Sequence, residues 1–127
     1  MSYIDGYILA VPTGDKEKFV SYAKEVDHIF IKHGATRVIE SWGEDVPHGK
    51  QTDFYRAVQA KDNETIVFSW VEWPDKTTRD AGMKSMMDAM KDDDLFDQEK
   101  NPMPFDGARM ILGSFQTVID MNETPSG

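Results

Sequence analysis

The sequence predicts an α+β fold in which an antiparallel sheet carries two helices on one face. Two segments place their apolar residues at helical spacing, and the segments around them are rich in β-branched and aromatic residues, which favour strands. The elements follow the order strand, helix, two strands, helix, strand, which is the βαββαβ pattern of a sandwich. The 127 residues are the length of one domain, so we expect a single domain over residues 1–127.

The first half of the pattern begins with a strand and a helix. Tyr3 to Val11 is β-branched and aromatic, and Pro12 ends it. A helix is predicted from about Lys16 to His33, with Gly34 at the position where helices commonly end. Thr36 to Trp42 is the second predicted strand, and a polar loop follows it.

A hairpin and a second helix are predicted next. Phe54 to Ala60 and Thr65 to Trp73 are separated by four polar residues, so we expect them to pair as a hairpin. Alternatively, Phe54 to Ala60 is an irregular edge strand. Asp75 is the expected N-cap of a helix that ends near Lys91. Asp93 or Asp94 could cap a short turn beyond it.

The last predicted strand runs from Ala108 to Ile119, after a turn at Asp106-Gly107. Residues 120–127 are expected to be a flexible tail. The complete pattern is that of a ferredoxin-like sandwich.

Both faces of the predicted strands are apolar. In the first strand Tyr7 and Leu9 lie on one face, while Ile8 and Ala10 lie on the other. An antiparallel sheet with one face in water should alternate apolar and polar residues. The sequence therefore predicts a second copy packed sheet against sheet, as a homodimer.

Composition excludes several classes of function. The formal net charge of −9 would repel a phosphate backbone or an anionic membrane, so neither is expected as a partner. The absence of cysteine excludes disulfides and thiolate chemistry and suits the cytoplasm. The N-terminus lacks the pattern of a signal peptide, and no apolar run is long enough for a membrane span.

Two segments resemble a known family. Residues 103–115 have the pattern Met-Pro-Phe-Asp-Gly-x-Arg-Met-Ile-x-Gly-x-Phe, and residues 42–54 have the pattern Trp-Gly-Glu-Asp-Val-Pro-x-Gly-Lys-x-Thr-x-Phe. These patterns resemble the YbaA-like bacterial proteins, a domain of unknown function. The family is similar in fold to the dimeric α+β barrel proteins, which implies the same homodimer. The functions of that superfamily vary, so the resemblance implies a fold and leaves the activity open.

Arg109 and Asp106 are the first candidate site residues. Arg109 could clamp a carboxylate-bearing ligand at the start of the last strand. Alternatively, Asp106 shapes the turn and Arg109 pairs with a nearby acid. Trp70 and Glu72 share one strand face and would give an apolar wall with a carboxylate, and any pocket is expected between sheet and helices.

The histidines and the cofactor motifs are less informative. His28, His33 and His48 have no spacing typical of a catalytic or metal-binding pair. No phosphate-binding loop, dinucleotide fingerprint, nucleophile elbow or metalloprotease helix is found. We therefore expect no metal and no cofactor.

These observations favour a homodimer that binds a small molecule, with a cofactor-independent enzyme as one form of it. An interaction module without catalysis and a haem-binding protein similar to monooxygenases are the alternatives. The sequence leaves open whether any reaction is catalysed and which ligand is bound.

Overall fold

Four strands and three helices make up the part of the chain described by the structure, a computed structural model covering residues 2–122. They are β1 (Tyr3–Pro12), α1 (Lys16–Lys32), β2 (Arg37–Trp42), α2 (Phe54–Ala57), β3 (Glu64–Trp73), α3 (Lys76–Met90) and β4 (Ile111–Gln116). Residues 120–122 are exposed and belong to no helix or strand; the rest of the predicted tail, residues 123–127, lies outside the described residues.

The strands form one antiparallel sheet in the order β2-β3-β1-β4. The central pair, β1 and β3, is in register from Tyr3 opposite Trp73 to Pro12 opposite Glu64. Helices α1 and α3 contact each other and pack on the same face of the sheet. The predicted α+β, ferredoxin-like class is confirmed. Within residues 2–122, no helix is long and apolar enough to cross a membrane.

The core lies between the sheet and the helices. Leu9, Val11 and Val67 point from the sheet toward Phe19 and Ala23 of α1, and all of them are buried. Nearer the other end, Val71 and Trp73 pack with Ala35. Burial of this apolar surface is the main source of stability.

The predicted hairpin of Phe54 to Ala60 with Thr65 to Trp73 is wrong. Phe54–Ala57 is a single helical turn, because the side chain of Asp53 accepts hydrogen bonds from the backbone nitrogens of Arg56 at 2.8 Å and Gly49 at 3.0 Å. Strand β3 instead pairs antiparallel with β2 and β1. A local cap outweighed strand propensity at this position.

The predicted ends of the long helices are confirmed. Gly34, which follows α1, has a φ of +115°, a left-handed conformation suited to glycine. Asp75 caps α3 by accepting a hydrogen bond from the backbone nitrogen of Thr78 at 2.7 Å. Asp93 caps the 3-10 turn at Asp94–Phe96 in the same way.

The last strand is shorter than predicted. It spans Ile111–Gln116, whereas the prediction was Ala108 to Ile119. Asp106 to Arg109 form the turn before it, in which the backbone nitrogen of Arg109 donates to the carbonyl oxygen of Asp106 at 3.1 Å. This turn uses the hydrogen-bonding groups that a longer strand would have needed.

A bidentate ion pair fixes this turn to the start of β3. The guanidinium of Arg109 donates to both carboxylate oxygens of Glu64, at 2.8 and 2.7 Å. It also donates to Asp106 at 3.0 Å and to the carbonyl oxygen of Gln59 at 2.8 Å. The carboxylate of Glu64 is almost completely buried, with 5% of its side chain exposed.

A second network ties α3 and β4 to the central strands. The buried carboxylate of Asp5 on β1 accepts hydrogen bonds from the indole of Trp73 at 2.9 Å, from Arg79 at 3.1 Å and from Ser114 at 2.6 Å. Each partner comes from a different element, so this one acid connects β1, β3, α3 and β4.

We expect Glu64→Gln to destabilise the protein in a pH-dependent way. The hydrogen bond from Arg109 lowers the pKa of Glu64 to about 2, whereas an unfolded glutamate titrates near 4.3. The carboxylate therefore contributes stability above pH ~4.3 that is lost as the pH falls toward about 2. In urea denaturation the wild type should be more stable than Glu64→Gln at neutral pH, and the difference should shrink in that acidic window.

Glu44→Gln, which removes an exposed acid from the loop after β2, is the control and should show no such difference. A Glu64→Gln deficit that stays constant from neutral to acidic pH would show that the carboxylate charge is not the stabilising element.

Candidate functional site

A cavity of about 410 Å³ lies between the sheet and α1. Sites for small molecules usually measure about 300–1,000 Å³, so this one suits a small ligand. The sheet contributes Tyr7, Leu9, Glu40, Ser69, Trp70 and Val71; α1 contributes Phe19, Tyr22, Ala23, Val26, Asp27 and Phe30; and α3 with the segment after it contributes Met90, Phe96, Gln98, Met103, Phe105 and Met110.

The segment of residues 94–110, which joins α3 to β4, forms one wall of this cavity. Phe105 reaches α1, where its ring meets Phe19 and Tyr22 edge to face, with centroids 6.2 and 6.1 Å apart. Near the other end of the segment, the side-chain amide of Asn101 donates to the carbonyl oxygen of Leu95 at 2.8 Å. The ion pair of Arg109 with Glu64 fixes the end that leads into β4.

Two carboxyl groups face each other in the cavity. Asp27 lies on the face of α1 that also carries Ala23 and Phe30, because residues three and four apart share a helix face. Glu40 lies on β2 opposite Ser69, on the sheet face that meets the helices. Helix and strand thus bring together two acids that are distant in sequence.

The environment of this pair favours retention of a proton. Burial raises the pKa of Asp27. Burial, the hydrogen bond with Asp27 and the negative charge of Asp27 raise the pKa of Glu40 to about 8, against a smaller opposing effect of the hydrogen bond with Ser69. Glu40 is on an edge strand and is exposed to solvent, so water at the cavity mouth weakens the effect of burial on its pKa. These raised pKa values favour one proton shared by the two carboxyls.

The remaining polar groups of the cavity are neutral. Burial raises the pKa of Tyr7 to about 12 and also raises the pKa of Tyr22. No Lys, Arg or His is among the residues of the described chain that line the cavity. The carboxyl pair therefore carries a negative charge that no cationic lining residue compensates.

Trp70 and Glu72, both predicted near the pocket, lie on the strand that borders it. Trp70 stands between the lining residues Ser69 and Val71, so its indole points to the opposite sheet face. There its nitrogen donates to the carboxylate of Glu72 at 2.9 Å. Their role in ligand binding stays a prediction.

Arg109 and Asp106 lie together, as predicted, but in the ion pair at the start of β3 rather than in the cavity lining. Their geometry agrees with the interpretation in which Asp106 shapes the turn and Arg109 pairs with a nearby acid. The guanidinium is already matched by the carboxylates of Glu64 and Asp106. A role of either residue in direct ligand binding stays a prediction.

The histidines lie away from the cavity lining. His28 is exposed, and His48 stacks on Tyr55 with ring centroids 4.2 Å apart. His33 is the C-cap of α1. Over residues 2–122, no cluster of three or more His, Asp or Glu side chains is placed to hold a metal ion.

The sheet face opposite α1 and α3 is apolar and partly open. Phe68, Ile111 and Phe115 are 44%, 41% and 60% exposed. Gly6 and Gly113 are paired on this face, and a Cβ atom on Gly113 would lie 3.0 Å from the ring of Phe115. The space beside Gly113 is thus occupied by an aromatic ring. We call this surface, with Phe54, Ile8 and Trp70, the open sheet face.

The chain is similar in sequence to a named family and to curated relatives. A family model described as protein of unknown function (DUF1428) matches residues 2–107. "Uncharacterized protein YbaA" of Escherichia coli K12 is 44% identical over 120 residues, which cover 94% of this chain and 99% of that protein. YbaA of Shigella flexneri matches equally well.

Two solved structures are similar in fold. A dimeric ferredoxin-like protein from an uncultured marine organism aligns with a TM-score of 0.60 and 12% identity, over 95% of this chain and 100% of that one. A variant of SnoaB, a cofactor-independent oxygenase from Streptomyces nogalater, aligns with a TM-score of 0.55 and 13% identity, over 96% and 98%. These structures support the fold alone, while the sequence matches establish that the chain belongs to the DUF1428 family and is a relative of YbaA.

Proposed function

We propose that the protein is a homodimer that binds a small molecule in the cavity between its sheet and α1. The observation that carries this proposal is the cavity itself, which is lined by apolar and aromatic side chains around one pair of carboxyl groups. Largely apolar sites with a few convergent polar groups and perturbed pKa values are typical of ligand binding.

A cofactor-independent enzyme is a second candidate, and the carboxyl pair favours it. When Asp27 and Glu40 share one proton, one group can donate a proton and the other can accept one at the same pH. SnoaB, whose fold is similar, is a cofactor-independent oxygenase. At 13% identity this likeness supports a compatible fold and not a shared reaction.

The alternatives have less support. An interaction module would have a filled space between sheet and helices; Arg109 is ion-paired, as that alternative expects, but the space holds a cavity. A haem protein would need an axial ligand at the cavity, and His28, His33 and His48 are not among its described lining residues.

Self-association through the open sheet face is part of the same proposal. Its aromatic and aliphatic side chains would be covered by the same face of a second copy, which forms a two-fold interface. The fold of a dimeric ferredoxin-like protein is similar.

We further propose the cytoplasm as the location, in keeping with a chain that has no cysteine. Nucleic acid and membrane surfaces are not proposed as partners, given the net charge of −9.

We expect Ala23→Phe to abolish ligand binding. Ala23 is buried and lines the cavity, so a phenyl ring there occupies the ligand space at a cost of about 1–3 kcal/mol in stability. Ligand-observed NMR with a library of small aromatic fragments should detect binders for the wild type and none for the variant.

Ala89→Phe, at an exposed position of α3, is the matched control and should bind like the wild type. Circular dichroism checks that each variant is folded, and Val26→Phe blocks the same cavity if Ala23→Phe does not fold. The proposal fails if the wild type binds no fragment, or if both blocked variants bind as well as the wild type.

We expect Phe68→Asp to convert the dimer into monomers. Phe68 lies near the middle of the open sheet face, between the rings of Phe54 and Trp70, and a buried unpaired charge there would oppose association. Light scattering at micromolar concentration should give a dimer for the wild type and a monomer for the variant. Met87→Asp changes an apolar α3 residue that is 62% exposed and should remain a dimer. A monomeric wild type would contradict this part of the proposal.

A further inference from the structure

We propose that the ligand of the cavity is a small organic amine, bound as an ammonium cation with its nitrogen at Asp27 and Glu40 and its apolar part against the aromatic side chains. This inference rests on the proposed function, since it names the class of ligand for the same cavity. It depends on the charge, the shape and the aromatic lining of that cavity.

The charge of the cavity selects against anions. Its described lining contains two carboxyl groups and no basic side chain. Neither Asp27 nor Glu40 is within 4.0 Å of a Lys, Arg or His nitrogen among the described ion pairs. A ligand carboxylate or phosphate would bring a further negative charge into a partly desolvated site, which is strongly unfavourable.

A cationic ligand supplies the positive charge that the carboxyl pair lacks. An ammonium group can donate hydrogen bonds to both carboxyl groups and neutralise their charge. A neutral alcohol can also hydrogen-bond there, but it leaves the negative charge uncompensated. Because the described lining offers the carboxyl pair no cationic partner, the amine gains more from this site than the alcohol of the same shape.

The aromatic lining favours the same class. Tyr7, Phe19, Tyr22, Phe30, Phe96 and Phe105 line the cavity. Aromatic faces attract ammonium groups, and the attraction grows when water is excluded. The apolar part of the ligand would gain from burial against these rings and Met103.

Binding of the cation should release the shared proton to solvent. Tyr7 on β1 and Ser69 on β3 interact with the pair, and the other polar side chains of the cavity are Tyr22 on α1 and Gln98 on the segment of residues 94–110. The Asp5–Arg79 ion pair acts on Tyr7 from the same strand face. The raised pKa values of both tyrosines keep them neutral near neutral pH. The carboxyl pair is therefore the group of this cluster whose charge changes between pH ~6 and ~8, and amine affinity should rise with pH in that range.

The test compares amines with alcohols of equal shape: benzylamine with benzyl alcohol, phenethylamine with phenethyl alcohol and hexylamine with hexanol. In calorimetry near neutral pH at least one amine should bind about tenfold or more tightly than its alcohol. Its affinity should increase toward pH ~8 with proton release, detected as a dependence of the heat on the buffer, because alkylamines stay charged there. The alcohols should show neither effect.

Variants locate the effect. Glu40→Gln and Asp27→Asn should each weaken amine binding about tenfold while alcohol binding changes little. Glu44→Gln removes an equal charge from the exposed loop and should leave both unchanged. The comparison of amine with alcohol in the wild type tests the proposal even if a variant does not fold.

Two results would overturn the amine proposal. If alcohols bind as tightly as their amines, or if amine binding is indifferent to Glu40→Gln and Asp27→Asn, the ligand class is wrong, although the cavity remains a small-molecule site. If neither amines, alcohols nor the aromatic fragments bind, the proposed function itself fails.

Discussion

The ion pair between Arg109 and Glu64 holds the chain segment that makes the space between sheet and helix a cavity. Residues 94–110 contain a 3-10 turn and two further turns but no α-helix or strand, so few main-chain hydrogen bonds fix them to the sheet. The bidentate contact at 2.7 and 2.8 Å attaches the end of this segment to the first residue of β3. Phe105, four residues before Arg109, can then pack against Phe19 and Tyr22. Arg109 is thus a positioning residue for the candidate site.

We assign different roles to the two faces of the sheet. The face toward α1 holds the cavity and the carboxyl pair, with Glu40 of β2 opposite Ser69 of β3. The opposite face carries exposed aromatic side chains. We therefore propose that neighbouring residues of one strand serve ligand binding and self-association separately. This separation allows each proposal to be tested by substitutions that leave the other face intact.

Much of the fold could be predicted because local rules and the global pattern agree. Gly34, Asp75 and Asp93 each end or begin an element for a backbone reason that is visible in the sequence. The helical turn at Phe54–Ala57 was missed because its aromatic residues favour a strand, while the deciding hydrogen bonds come from Asp53. The site was harder to predict. Arg109 could be singled out but not its partner Glu64, which is 45 residues away in sequence.

The carboxyl pair left a signal in the sequence that residue spacing alone could have shown. Asp27 belongs to the apolar face of α1 and Glu40 alternates with Val38 and Trp42, so each is an acid at a predicted core position. The distance between the two acids depends on how α1 lies across β2, and this is set by packing rather than by local propensity. The pairing of the two groups is therefore shown by the three-dimensional structure and not by the sequence.

We infer that Asp27 and Glu40 share a proton in a cavity whose described lining residues include no compensating cation. Carbon-detected NMR of side-chain carboxyl groups, followed as a function of pH, measures this directly. We expect the pKa values of both Glu40 and Asp27 to be raised above those of exposed acids. Asp27→Asn should bring the pKa of Glu40 down, because the charge of Asp27 and its hydrogen bond contribute to the shift. Titration of both carboxyl groups at the ordinary pKa values of exposed acids, near 4, would contradict a proton shared by the pair.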